Sequence, residues 1–200
     1  MDSKVGLVRN SEERGKSNSA PPEVQCHLAR DFTVLEPATK WIGYITELKT
    51  GKSKLYLCVV VDLFSKLMIG WSMHHRQDRQ MVLRAVEMAT WQRRGNSSVT
   101  LHSDRGSQFR SGDYQRYFKQ KTLISSMSTV GHCGNNAACE GFFGMLKRER
   151  THHMKYPTLD SARADVFDYI ERFHNPRMRR RIAKHDLRYS GVLKPSVKTG

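Results

Sequence analysis

Residues 41–73 read WIGYITELKTGKSKLYLCVVVDLFSKLMIGWSM, and the fold turns on this stretch. Trp41 to Leu48 is rich in aromatic and β-branched residues, which predicts a strand. Lys49-Thr50-Gly51-Lys52-Ser53 supplies a turn. Lys54 to Asp62 is a near-continuous apolar run, the pattern of a strand buried on both faces. Lys66 to Met73 predicts a third strand. Connections this short join antiparallel neighbours, so the three strands form a meander.

Working outward, Asp78 to Arg93 places Met81, Val82, Ala85, Met88 and Ala89 at helical spacing. Val99 to Ser103 predicts a fourth strand, Ser111 to Gln120 a short helix, and Leu123 to Met127 a fifth strand. Asn136 to His152 predicts a long helix, and Thr158 to His174 another, which Asn175-Pro176 is expected to end. The order βββαβαβαα predicts an α/β domain. Its mixed five-stranded sheet has three antiparallel strands, then two parallel ones, flanked by helices. That order is the one found in a ribonuclease H-like fold. Residues 1–26 are polar and aperiodic, and read as a disordered tail or truncated linker. Residues 27–174 form the expected core, and 175–200 a basic C-terminal tail.

The chain carries 34 Lys+Arg against 19 Asp+Glu in 200 residues, a net charge of +15. Such an excess calls for an anionic partner, and nucleic acid is the default. From Arg172 to Lys198 there are nine basic residues and one acid, more than half of the net charge. The longest apolar run, Leu57 to Val61, is far short of a membrane span. The first twenty residues lack the apolar stretch of a signal peptide. Cys26, Cys58, Cys133 and Cys139 show no paired spacing and read as reduced thiols. The expectation is a cytoplasmic, nucleoid-associated protein, with neither a membrane nor a small molecule as partner.

Two carboxylates carry the candidate chemistry. Asp104 follows the fourth strand in His102-Ser103-Asp104-Arg105-Gly106-Ser107-Gln108, where open α/β sheets place their sites. Glu140 opens the long helix, with thirty-five residues between the two acids. Glu140, Gly144 and Lys147 share one helical face, while Ala138, Phe142, Met145 and Leu146 share the other. Neighbouring carboxylates are hard ligands suited to Mg²⁺ or Mn²⁺, and a pair of such ions suits phosphodiester chemistry.

At these residues the chain resembles insertion-sequence transposases of the retroviral-integrase superfamily, the type encoded by the second reading frame of a bacterial element. The matching stretches are Leu28 to Thr33, Trp41 to Thr46, Val61 to Ser65, His102 to Gln108, Asn136-Ala137 with Glu140 and Phe142-Phe143, and Tyr169-Ile170-Glu171 with Asn175. The resemblance implies a ribonuclease H-like fold and an Asp-Asp-Glu triad holding two Mg²⁺. It implies cleavage of element ends, transfer of the 3′-hydroxyl to target DNA, and work as a homo-oligomer. Asp104 takes the place of the second acid and Glu140 of the third. Lys147, Arg148, Arg105, Arg177, Arg179, Arg180 and Arg181 are the expected DNA contacts.

The first acid is missing. The family pattern Trp-x-x-Asp-Ile-Thr stands here as Trp41-Ile42-Gly43-Tyr44-Ile45-Thr46. A tyrosine with a pKa near ~10 is neutral at pH 7. Glu47 falls on the opposite face of the strand, and Asp62 sits at a structural position, so neither replaces the lost acid. Asn135 and Gly141 are further departures, from the family's Asp and Ser. The reading expects Mg²⁺ or Mn²⁺ bound weakly or at one site, and activity reduced by several orders of magnitude. A DNA-binding remnant without chemistry is the alternative. A third reading is a ribonuclease H-type nuclease or RNA-binding module.

The smaller features favour plain roles. A zinc site at His132, Cys133 and Cys139 lacks four ligands. His74-His75 and His152-His153 read as surface residues, and Trp41, Trp71 and Trp91 as core or edge packing.

Overall fold

The computed structural model describes residues 34, 36–50, 53–93, 95, 97–103, 109, 111–127, 137–151 and 153–183. Strands β1 (Lys40–Thr50), β2 (Ser53–Asp62) and β3 (Met68–His74) form the antiparallel meander. Strand β4 (Val99–Ser103) pairs parallel to β1, and β5 (Leu123–Met127) parallel to β4. The sheet order is β3-β2-β1-β4-β5, which is the mixed sheet expected from the element order.

The apolar run of β2 is explained by its two faces. Cys58 and Val60 enter one core with helix α1 (Arg79–Gln92) and helix α2 (Gly112–Gln120). Leu55, Leu57, Val59 and Val61 enter a second core with α3 (Ala137–Leu146) and α4 (Leu159–Asp168). A strand covered on both sides needs no polar alternation. A bulge in β3 opposite Val60 and Val61 puts Ile69 and Gly70 toward α1. At Gly70 a Cβ would stand 2.1 Å from the Ala85 carbonyl oxygen, so only glycine allows α1 to approach this closely.

The helices begin on side-chain caps. Asp78 accepts from the Met81 N–H at 2.8 Å, and Ser111 from Tyr114 at 3.3 Å. Thr158 and Ser161 form a reciprocal capping box ahead of α4.

Two features differ from the sequence expectation. Strand β3 starts at Met68 rather than Lys66, because Leu63 to Lys66 is a turn closed by Asp62. Asn175-Pro176 does not end the last helix. After α4, Tyr169–His174 is a π-helical turn, and the chain continues as α5 (Asn175–Ala183). The Asn175 N–H reaches the Ile170 carbonyl, five residues back. The wider turn precedes Pro176, which sits in the first turn of α5, where a missing N–H costs little. Asn175 instead ties the helix to β3, accepting from the Met68 N–H and donating to its carbonyl, both at 3.0 Å. Met178 and Ile182 of α5 are buried in the first core. The expected tail at 1–26 and the residues from 184 onward lie outside the described residues. No helix of the described residues is long and apolar enough to cross a membrane.

Candidate active site and nucleic-acid interface

The site is built around Gly43 and Tyr44 of β1. Ser103, the last residue of β4, stands opposite Gly43. The Phe109 ring also packs there: a Cβ on Gly43 would lie 3.3 Å from it. Between Ser103 and Phe109 the sequence holds the segment 104–108. Asp104 and Arg105, within that segment, lie outside the described residues.

Glu140 projects from the first turn of α3 and is exposed, as the helix face predicted. A carboxylate in a first turn is also favoured by the helix dipole. Cys139, Phe142, Phe143 and Leu146 form the buried stripe of α3, with Gly144, Met145 and Lys147 partly exposed. Met145 thus belongs less to the core than its spacing indicated, and Phe143 more.

Tyr44, on the side of β1 that faces α3, is half-buried in the second core. Its ring lies 5.2 Å from that of Phe143, tilted by 42°. Phe143 is three residues from Glu140, so the Tyr44 ring makes its aromatic contact one helical turn from that carboxylate.

The neighbouring acids do not substitute. The Glu47 carboxylate pairs with Lys54 at 3.1 Å. The carboxylate of Asp62 is fully buried and accepts from the Ala38 N–H (3.0 Å), the Ser65 N–H (2.8 Å) and the Ser65 hydroxyl (2.6 Å). Burial nevertheless raises its pKa, against those three donors. Among the described residues no group of three His, Cys, Asp or Glu side chains is placed to hold a metal ion. At Tyr44 the described residues offer a phenol packed on Phe143, not the carboxylate oxygens that hard divalent ions take.

Cys139 is buried, and its thiol is pushed up to about 12, first by burial and then by the charge of Glu140. That is an inert thiol rather than a ligand or nucleophile. His132, Cys133 and His152 lie outside the described residues. His74 pairs with Asp78 at 3.3 Å and stacks on His75 at the surface. Trp41 is core, and Trp71 donates to Glu171 at 2.8 Å. Trp91 departs from its expected packing role, being 64% exposed.

The cations divide into two sets. Arg150 is neutralised by Asp165 (3.1 Å) and Asp168 (3.5 Å), Arg163 by Asp160, and Arg172 by Asp168. After α3, residues Lys147–Thr151 form a second π-helical turn. It turns Arg150 toward α4 and Glu149 toward the π-helical turn after it, where Glu149 accepts from the Tyr169 hydroxyl at 2.8 Å. Lys147 stays half-exposed and Arg148 exposed, and among the described residues neither has an acidic partner. On α5, Arg177, Arg180 and Arg181 are exposed and Arg179 half-exposed. These four have no ion pair among the described residues, although Arg177 lies over the Phe173 ring at 6.0 Å.

Two family models, each described as an integrase core domain, match residues 35–133 and 140–191. The chain belongs to the integrase core-domain family. The relatives of this core are insertion-sequence transposases. Transposase InsF for insertion sequence IS3A of Escherichia coli K12 is 44% identical over 148 residues, 74% of this chain and 51% of the relative. Putative transposase InsK for element IS150 of the same strain is 33% identical over 174 residues, 87% of this chain and 60% of the relative. The chain thus spans about half the length of the first of these relatives. Solved integrases share the fold. The simian T-cell lymphotropic virus intasome in complex with PP2A regulatory subunit B56 gamma gives a TM-score of 0.54 at 18% identity, covering 72% of this chain and 57% of that one. The BIV integrase core gives 0.53 at 14%, covering 74% and 99%. The HTLV-2 integrase core in complex with magnesium gives 0.52 at 20%, covering 70% and 89%.

Three residues that the sequence reading gave no site role prove central to the geometry. Gly43 stands opposite Ser103 and against the Phe109 ring, and Phe143 packs on Tyr44. Phe143 carried a signal, being in the family stretch three residues after Glu140. Phe109 carried none beyond its apolar character beside a polar loop.

Proposed function

We propose that this integrase core holds DNA as part of an insertion-sequence transposase, and that its cleavage and strand-transfer chemistry is impaired at Tyr44. The observation that carries the reading is the Tyr44–Phe143 contact one turn from Glu140, on a fold whose cations in the turn after α3 and on α5 have no acidic partner among the described residues. Lys147, Arg148, Arg177, Arg179, Arg180 and Arg181 contact phosphates, with Arg105 beside the candidate acid Asp104. Contacts of this kind supply affinity rather than sequence readout. Asp104 and Glu140 offer at most one weak Mg²⁺ or Mn²⁺. The partners are element-end and target DNA, and a second copy of the chain.

Two experiments test this. Binding of labelled duplex DNA is measured across a salt series, where log K against log[salt] should fall with a slope of about −4 or steeper. A slope near zero contradicts DNA holding. Joining of element-end DNA is then measured in Mn²⁺ for the wild type and Tyr44→Asp. The wild type should be slower by orders of magnitude; equal rates contradict the impairment.

A further inference from the structure

We infer that the Tyr44 ring has taken over, as a metal-free joint, the task of fastening β1 to the helix that carries Glu140. The inference rests on the reading above that Tyr44 stands at the first-ligand position.

Tyr44 packs against an apolar wall. Ile42, Leu57, Val59 and Val61 line the same face of the sheet, and Phe142 and Phe143 cover it from α3. Val59 stands directly opposite Tyr44 on β2. A carboxylate at this position would lose solvent against that wall, which disfavours its ionised form unless a cation offsets the loss. A phenol ring does not meet that penalty. It buries apolar surface, and its centroid separation of 5.2 Å with a 42° tilt lies in the range of attractive aromatic pairs. The ring therefore joins strand to helix where carboxylates would need an ion between them. One substitution accounts for both outcomes: the chemistry is reduced, and the corner becomes stable without metal, a trade seen where active sites give up strain.

The test is thermal unfolding of the full chain in EDTA and in millimolar Mn²⁺. The wild-type Tm should differ by less than about 1 °C between the two, since a weak ligand adds little stability. Tyr44→Asp should lose about 5–10 °C in EDTA and recover part of it in Mn²⁺. Tyr44→Phe, which keeps the ring, should stay within about 2–3 °C of wild type. Should Tyr44→Asp fail to fold, a cycle of Tyr44→Leu, Phe143→Leu and the double variant decides. Its expected coupling is about 2–4 °C beyond additivity. A wild type raised by several degrees in Mn²⁺ overturns the inference. So does Tyr44→Asp as stable as wild type in EDTA, or a cycle with no coupling. Failure here is separable from failure of DNA holding: the salt series reports on the cations and these melts on the ring pair.

Discussion

One turn from Glu140, Tyr44 turns to Phe143, and the side chain at the proposed first-ligand position is packing. On α5, by contrast, Met178 and Ile182 are in the core while the arginines around them face outward without acidic partners among the described residues. A residue that only packs would not need to be cationic, and a residue that only balances charge would sit like Arg150, between two aspartates. On the proposed reading the difference teaches that holding DNA and cutting it rest on separate residues of one fold, so one can be altered while the other persists. Asn175 links the two regions mechanically. It begins the basic helix and locks it to Met68, beside the bulge of β3.

The largest effect is expected from the cations. Replacing Arg177, Arg179, Arg180 and Arg181 together by Ala should weaken duplex binding by about 10²–10³ at moderate salt and flatten the salt slope by about 3–4. Titrating labelled DNA at several salt concentrations checks this. Affinity unchanged by the quadruple variant would break the contrast, leaving α5 as an ordinary solvated face.

Asn175→Ala comes next. It strands a buried N–H and C=O at Met68, and should cost about 2–4 kcal/mol in urea unfolding. If DNA binding by the folded fraction is retained, Asn175 acts through stability alone. A selective loss of affinity at full stability would show that helix placement matters more than charge.

A pH effect should follow from two buried imidazoles. Burial lowers the pKa of His102 and His174; the Lys66 carbonyl opposes this at His174, and Arg177 adds to it. Their folded pKa lies below the unfolded value of ~6.5, so the unfolded chain takes up these protons first. Their contribution is present above about pH 6.5 and is lost as pH falls toward the folded values. Tm should therefore drop between pH 7.5 and 5.5, and His174→Gln should reduce the drop; a flat profile contradicts this. The smallest effect is Arg148→Ala, with affinity down about 3–10-fold and the salt slope reduced by about 1.

Much of this was legible in the chain. The strands β4 and β5 fall where their apolar residues placed them, and the run at 54–62 correctly announced a strand covered on both sides. Glu140 faces outward because its helical neighbours are apolar, a periodicity any window of α3 displays. The sequence shows Tyr44 where the family resemblance expects an acid, but not the partner of its ring, because Phe143 lies about a hundred residues away and reaches β1 only through tertiary packing. Pro176 misled for a physical reason. Its stop signal assumes a regular helix, and the π turn at Tyr169–His174 supplies the room that assumption denies. The same motif, Tyr169, Glu171 and Asn175, proved to be a set of ties to Glu149, Trp71 and Met68.

The most direct test of the central claim is a calorimetric titration of Mn²⁺ into the wild-type protein already bound to duplex DNA. The complex should remain intact while the isotherm shows no site or one weak site. Two well-defined Mn²⁺ sites would mean that Tyr44 has not closed the corner, and would contradict the account.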